Sequence, residues 1–316
     1  MKKVAAAIIK VSITAVLLIL LFWKTDVPRL LDLLRTAHKG MLASAFAFFF
    51  FLNVLVFWRW QCLLRARGLR VGAFRLFCAY LSSLLFNLVL PSTIGGDAVR
   101  TLDIAEHTGQ HSSVLLGTVV MDRVSGFFGL FSVLLFSLLF GFRRFQDPRV
   151  LTAAAVLFVS AVLLLGIMFS RRFFNLCFGW LPFARVKDYL KKVHAVTSEY
   201  RTKKGTLLAI WLLSVAVHLG LAFLFLLTAG ALGENVAVLH ALIFVPMVTA
   251  FSSLPVTIGG LGLRDHATVF VFAKVGMARE VAVAISQLTF GFMVLMGLFG
   301  GISYIGTFYR RAPRRA

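Results

Sequence analysis

Residues 90–100 read Leu-Pro-Ser-Thr-Ile-Gly-Gly-Asp-Ala-Val-Arg, and residues 254–264 read Leu-Pro-Val-Thr-Ile-Gly-Gly-Leu-Gly-Leu-Arg. Seven of the eleven positions agree without a gap: Leu, Pro, Thr, Ile, both Gly and the closing Arg. One Gly pair alone carries no signal, whereas a repeated LPxTIGGxxxR element marks an internal repeat of the chain. Pro91 and Pro255 remove a backbone donor, and Gly95, Gly96, Gly259, Gly260 and Gly262 permit positive φ. Each copy is therefore expected to turn the chain. The Arg that closes both copies is harder to explain as a turn residue.

The surroundings of both copies are strongly apolar. Of 316 residues, 60% are hydrophobic and 14% charged, where soluble chains average about 45–50% and 25%. Phe contributes 33 residues and the mean hydropathy is +0.92. This composition excludes a cytosolic enzyme and a disordered or fibrous chain. It implies one integral membrane domain over 1–316, with little material outside the bilayer. Apolar runs at 4–23, 41–58, 73–90, 113–142, 150–170, 205–230, 237–254 and 279–306 are near the length that crosses about 30 Å of hydrocarbon. A ninth run, 267–275, is too short. Helix is expected throughout, because backbone groups in lipid must be bonded internally. The first run follows Lys2 and Lys3, is interrupted by Lys10, and ends without the small residues of a cleavage site, so it reads as an uncleaved span.

Basic residues then fix the topology. There are 33 Lys and Arg against 12 Asp and Glu, and such excess collects on the cytoplasmic side. The N-terminus, the tail (Arg310, Arg311, Arg314, Arg315), the segment with Arg59, Arg65, Arg67, Arg70 and Arg75, and the loop 171–204 are all expected inside. Trp58, Trp60 and Trp180 would flank these loops at headgroup level. Eight crossings give odd counts between these landmarks where even counts are required. One segment per half must enter and leave on the same side, and 73–90 and 237–254 are the candidates, since each runs into a break. The expected fold is an all-α polytopic bundle with six full spans and two re-entrant segments, with both termini in the cytoplasm. The loop at 24–40 is then outside, despite Lys24, Arg29, Arg35 and Lys39.

The repeat organises this bundle. Repeat 1 is expected over 1–148 and repeat 2 over 149–316, each reading span, span, re-entrant segment, span. Three full crossings per half is odd, so the second copy would enter the membrane in the opposite sense, as in many secondary transporters. An old duplication whose element only turns the chain is the other reading.

Charges at membrane depth identify candidate binding residues. Asp122 and Arg123 interrupt the apolar run 113–142, and an intramembrane charge implies a protein-lined or watery site. In one reading the pair only pins helices together, with Arg123 satisfied by Asp97. In the other, Arg100 and Arg123 bind a phosphate by bidentate hydrogen bonds, Asp97 orients them, and the Gly95 and Gly96 amides add an anion nest. In the second copy Arg264 and Asp265 follow the break, while Ser286 and Gln287 stand where Asp122 and Arg123 would be. His218, inside the run 205–230, either relays protons or bonds to a backbone carbonyl.

Other chemistries find no support. Cys62, Cys78 and Cys177 are far apart and form no CxxC pair. Glu106, His107 and His111 lack further ligands nearby, so no metal is expected. No nucleotide-binding loop, GxSxG elbow or nucleic-acid motif is present, and no cofactor is implied.

The run Pro91-Ser-Thr-Ile-Gly-Gly-Asp97-Ala-Val-Arg100, followed by Asp122-Arg123, resembles the membrane region of lysylphosphatidylglycerol synthases. So does Pro255-x3-Gly259-Gly260-x-Gly262-x-Arg264-Asp265, where the family commonly has Glu in place of Asp265 and a carboxylate is kept. The likeness covers essentially the whole chain and points to the stand-alone, flippase-like members. It implies movement of an anionic or isoprenoid-linked lipid between leaflets. It does not imply aminoacyl transfer, which belongs to a separate soluble domain, and the end at Ala316 is expected to leave no room for one.

The expected function is thus lipid translocation in the cell (inner) membrane rather than catalysis. A headgroup phosphate would pass from Arg100 and Arg123 toward Arg264 as the repeats rock. The alternative is a non-transporting scaffold subunit of a lipid-modifying or envelope glycolipid pathway. Expected partners are anionic membrane lipids, not nucleic acid, together with a second copy of the chain or an envelope enzyme.

Overall fold

The computed structural model describes residues 2–90, 95–141, 169–178, 184–254 and 256–309, with scattered positions between 152 and 167. Pro91, Pro255, Trp180, the basic tail from Arg310 and most of the expected span 150–170 lie outside the described residues. Among the described residues every regular element is a helix. In chain order the helices are α1 (Lys2–Trp23), α2 (Val27–Thr36), α3 (Lys39–Ala66), α4 (Ala73–Val89), α5 (Gly95–Thr108) and α6 (Ser112–Gly141). They continue with α7 (Arg171–Phe178), α8 (Ala184–Glu199), α9 (Lys204–Ala231), α10 (Val238–Ser252), α11 (Leu263–Phe272) and α12 (Arg279–Tyr309).

Lys39–Ala66, Ser112–Phe140, Lys204–Ala231 and Arg279–Ile305 are long and apolar enough to cross a membrane. Lys10–Trp23 with Val27–Thr36, bent by 86°, adds a fifth if the pair counts as one span. The segments expected to be re-entrant form α4 and α10, of 17 and 15 residues. At 1.5 Å per residue they reach only about 25 and 22 Å, short of the roughly 30 Å hydrocarbon layer.

Two expected loops contain helices. Within 24–40, Asp26 caps α2 by accepting from the Arg29 N–H at 3.1 Å, and Pro28 sits in the first turn. Pro lacks only a donor that has no partner at a helix start, so it favours initiation there. Within 171–204, α7 and α8 form, and α8 buries Val193, Val196 and Thr197.

The chain divides into two compact units, one of Met1–Asn53, Tyr80–Gly96 and Leu219–Ala316, the other of Val54–Ala79 and Asp97–His218. The borders after 53 and after 218 stand 165 residues apart, one more than the 164 separating the two LPxTIGG elements. Apart from 80–96, the early part of each copy therefore shares a unit with the late part of the other.

In the first unit Leu21 and Leu30 pack with Val283 and Ala284, joining α1 and α2 to α12. Arg279 adds bonds to the Thr25 hydroxyl and the Leu21 carbonyl, both 3.2 Å. The α1 face that carries Thr14 and Leu17 meets the second break. The Ile258 N–H donates to Thr14 Oγ1 at 3.1 Å, and a Cβ on Gly262 would come 2.6 Å from Leu17 Cβ. At Gly300 a Cβ would lie 2.0 Å from the Leu81 carbonyl oxygen, so only glycine allows this approach of α4 to α12.

In the second unit Leu63, Met121, Val196, Tyr200 and Ile210 form one core. Tyr200 follows α8 and donates to the Leu63 carbonyl at 2.9 Å, while Lys203 donates to the Ala66 carbonyl and Arg67 pairs with Glu199. These ties hold the end of α8 to the end of α3.

Candidate functional site

Three helices bring charge together inside the second unit. Asp97 lies in the first turn of α5, where the helix dipole favours a carboxylate. One turn on, the Arg100 guanidinium reaches it at 2.9 Å. From α6, Asp122 faces Arg100 at 3.4 Å and Arg123 meets Asp97 at 2.5 Å. All four charged residues named from the first copy thus form one network.

A fifth member was not read from the sequence. Arg59 was expected in a cytoplasmic loop, but α3 continues to Ala66 and carries it inward, 6% exposed. Its Nε donates to Asp122 Oδ1 at 2.7 Å and its NH1 to the Ser214 hydroxyl at 3.0 Å. Gly126 makes room, since a Cβ there would stand 3.2 Å from Arg59 NH1. Trp60, expected at headgroup level, is fully buried instead. Its ring lies 4.5 Å from the Arg100 guanidinium and its indole N–H donates to Thr118. The apolar spacing Phe57, Trp60, Leu63 and Leu64 continues the helical stripe past Arg59 and is the signal that locates both residues.

Three guanidinium groups meet two carboxylates, which leaves one positive charge. Asp97, Arg100 and Asp122 are each 3% exposed. Arg123 differs, with 43% of its side chain exposed. The excess charge therefore has an outward-facing member. His218 contacts the Gly126 carbonyl through Nε2 at 3.0 Å, so that nitrogen carries the proton.

The second copy builds a smaller centre in the other unit. Gly259, Gly260 and Gly262 adopt φ of +58°, +76° and +77°, the left-handed region that glycine tolerates. Gly95 and Gly96 do not have positive φ; they begin α5 directly. The Gly96 N–H donates to Asn87 Oδ1 at 3.0 Å, so that amide of the expected nest is occupied. Asp265 is fully buried and closes the start of α11 by accepting from the Gly262 N–H at 2.9 Å. Arg264 Nε donates to the Ser286 hydroxyl at 2.9 Å, and Ser286 in turn donates to Asp265 Oδ1 at 2.5 Å. Arg264 also reaches Asp265 Oδ1 at 3.4 Å and Met293 Sδ at 3.6 Å.

The same cross-helix contact thus recurs, 22 residues apart in each copy: Arg100 to Asp122, and Arg264 to Ser286. The first centre has an excess cation; the second is neutral. Among the described residues no group of three His, Cys, Asp or Glu could hold a metal ion.

The family model described as the lysylphosphatidylglycerol synthase TM region matches residues 7–301. The chain belongs to that family. Among curated relatives, a UPF0104 membrane protein of Pyrococcus horikoshii is 24% identical over 323 residues, covering 91% of this chain and 92% of the relative. No solved structure matches. This member of the lysylphosphatidylglycerol synthase TM-region family is a multi-pass membrane protein, with both charged centres inside the matched region.

Proposed function

We propose that the chain is a lipid translocator that moves an anionic or isoprenoid-linked headgroup between leaflets of the cell membrane. One observation carries the reading: five charges from α3, α5 and α6 meet with a net positive charge, and one arginine, Arg123, stays 43% exposed. Two guanidinium groups suffice to balance the two buried carboxylates, and among the three it is Arg123 whose side chain faces outward. Arg123 already meets Asp97, and its exposed side chain can also meet a phosphate oxygen from outside the network, which an Arg fork suits. The tails stay in hydrocarbon while the headgroup follows the polar groups.

Short α4 and α10, each leading into a break, support two re-entrant segments, and the repeated element supports copies inserted in opposite senses. Both termini are then cytoplasmic. With no nucleotide-binding loop in the sequence, an ion gradient or the lipid gradient drives the cycle.

The test is reconstitution in vesicles with labelled anionic lipids, comparing the native chain with Arg123→Ala. Protein-dependent transbilayer movement that the substitution abolishes is the expected result. Equal rates with and without protein across a lipid panel overturn the reading.

A further inference from the structure

A cavity of about 90 Å³ lies inside the unit that carries the second break, walled by α9, α10, α11 and α12. Its lining is mostly apolar, with Arg264, Ser286, Thr249, Thr268 and Thr289 as the polar side chains. The three threonine hydroxyls are already committed as donors. Thr249 donates to the Val245 carbonyl at 2.8 Å, Thr268 to Arg264 and Thr289 to Ile285, both at 2.9 Å. A hydroxyl has one proton and two lone pairs, so toward the cavity each offers only acceptor capacity.

Arg264 offers the opposite. A guanidinium has five N–H donors, and the oxygen partners of this one are Ser286 and Asp265. Among the described residues its NH1 donates to the Met293 thioether, a weak acceptor, at 3.6 Å, and the guanidinium lies 5.6 Å from the Phe290 ring. Asp265 neutralises it, so the cavity has no net charge. An occupant must accept on the Arg264 side, donate on the threonine side, and carry no charge. A phosphate diester can only accept and is anionic. A hydroxyl does both and is neutral. One water takes about 10–15 Å³ of such space, so the room is about six to nine waters, enough for a small polyol.

We propose that this cavity binds a neutral polyol group, with Arg264 donating to its hydroxyls and Thr249, Thr268 and Thr289 accepting from them. The proposal deepens the translocator reading, on which it rests only in taking the polyol as part of a lipid headgroup; a free polyol has the same chemistry.

The test is calorimetric binding to the purified full chain in one detergent. Two dioctanoyl phospholipids of equal charge are compared, one bearing inositol on its phosphate and the other a cyclohexyl group without hydroxyls, with free myo-inositol as a third ligand. The inositol lipid is expected to bind about tenfold tighter than its cyclohexyl counterpart, because a site built to bond hydroxyls rejects the analogue lacking them. Thr249→Val with Thr289→Val, which keeps shape and removes lone pairs, is expected to bring that ratio within about twofold. Equal affinities for the two lipids in the native chain overturn the proposal without any variant. So does a preference that survives both valines. If neither lipid binds but myo-inositol does, and the valines abolish it, the cavity assignment stands and the lipid reading falls. If none of the three binds, the cavity assignment falls, while the translocator reading is decided by the vesicle assay.

Discussion

Arg59 Nε lies 2.7 Å from Asp122 Oδ1, joining residues 63 apart in sequence, both nearly excluded from solvent. Asp122 thereby holds two guanidinium groups, Arg59 on one oxygen and Arg100 on the other. Removing Arg59 leaves a buried carboxylate with only the longer of its two contacts. Arg59→Ala is expected to cost about 3–5 kcal/mol. Replacing both residues with apolar ones of similar volume is expected to recover much of that loss. Thermal unfolding of the detergent-purified single and double variants checks both outcomes.

Arg123 is expected to separate folding from function. Asp97 keeps Arg100 when Arg123 is removed, and the Arg123 side chain is 43% exposed. Arg123→Ala should change stability by about 0–1 kcal/mol while lowering protein-dependent lipid movement in vesicles. A large drop in unfolding temperature would show that the residue is structural.

Ser286 bridges the second centre by accepting from Arg264 and donating to Asp265. Ser286→Ala leaves both buried partners short of a bond, at an expected cost of about 1–3 kcal/mol. Ser286→Asp copies the residue type of Asp122 but sets a second carboxylate against Asp265. It should therefore be at least as damaging, which chemical-denaturation midpoints would resolve.

Glycines in one helix should respond oppositely to alanine. Gly300→Ala drives a methyl against the Leu81 carbonyl and is expected to destabilise by about 1–3 kcal/mol. Gly291 has nothing within 4 Å of the added carbon, so Gly291→Ala should stabilise by up to about 1 kcal/mol through helix propensity. Paired melting curves test the contrast.

Tyr200 predicts a pH dependence. Burial pushes its phenol above the ordinary tyrosine value of 10.0, partly opposed by Arg67. The native state then holds this proton more tightly than the unfolded chain, so the contribution to stability is complete below about pH 10 and is lost as pH rises beyond it. Tyr200→Phe loses the bond to the Leu63 carbonyl, about 1 kcal/mol, and should flatten that alkaline slope in unfolding midpoints measured from pH 8 to 11.

Several of these relationships could be read from residue types alone. The repeated LPxTIGG element pointed to Asp97 and Arg100, and the interrupted apolar run to Asp122 and Arg123, which all meet in one network; the second copy pointed to Arg264 and Asp265 in another. The equivalence of Asp122 with Ser286 reappears as matching contacts to Arg100 and Arg264. Arg59 and Trp60 escaped because a cation and an indole after an apolar run look like a membrane boundary, and only tertiary pairing with Asp122 and Thr118 carries them inside. Asp26 and Pro28 already spelled a helix start that the charge of the surrounding segment obscured. The different backbones of Gly95–Gly96 and Gly259–Gly260 were not legible, since identical residues begin a helix in one place and turn left-handed in the other.

Because residues 1–53 share a unit with 219–316, α1 leaves the ribosome long before its packing partners and meets them only when 219–316 has been made. Thr14 waits for Ile258, and Leu21 for Val283 and Ala284. A gene cut between the two copies would give fragments that each lack half of both units. Neither fragment should be stable in the membrane alone, and co-expression should rescue both.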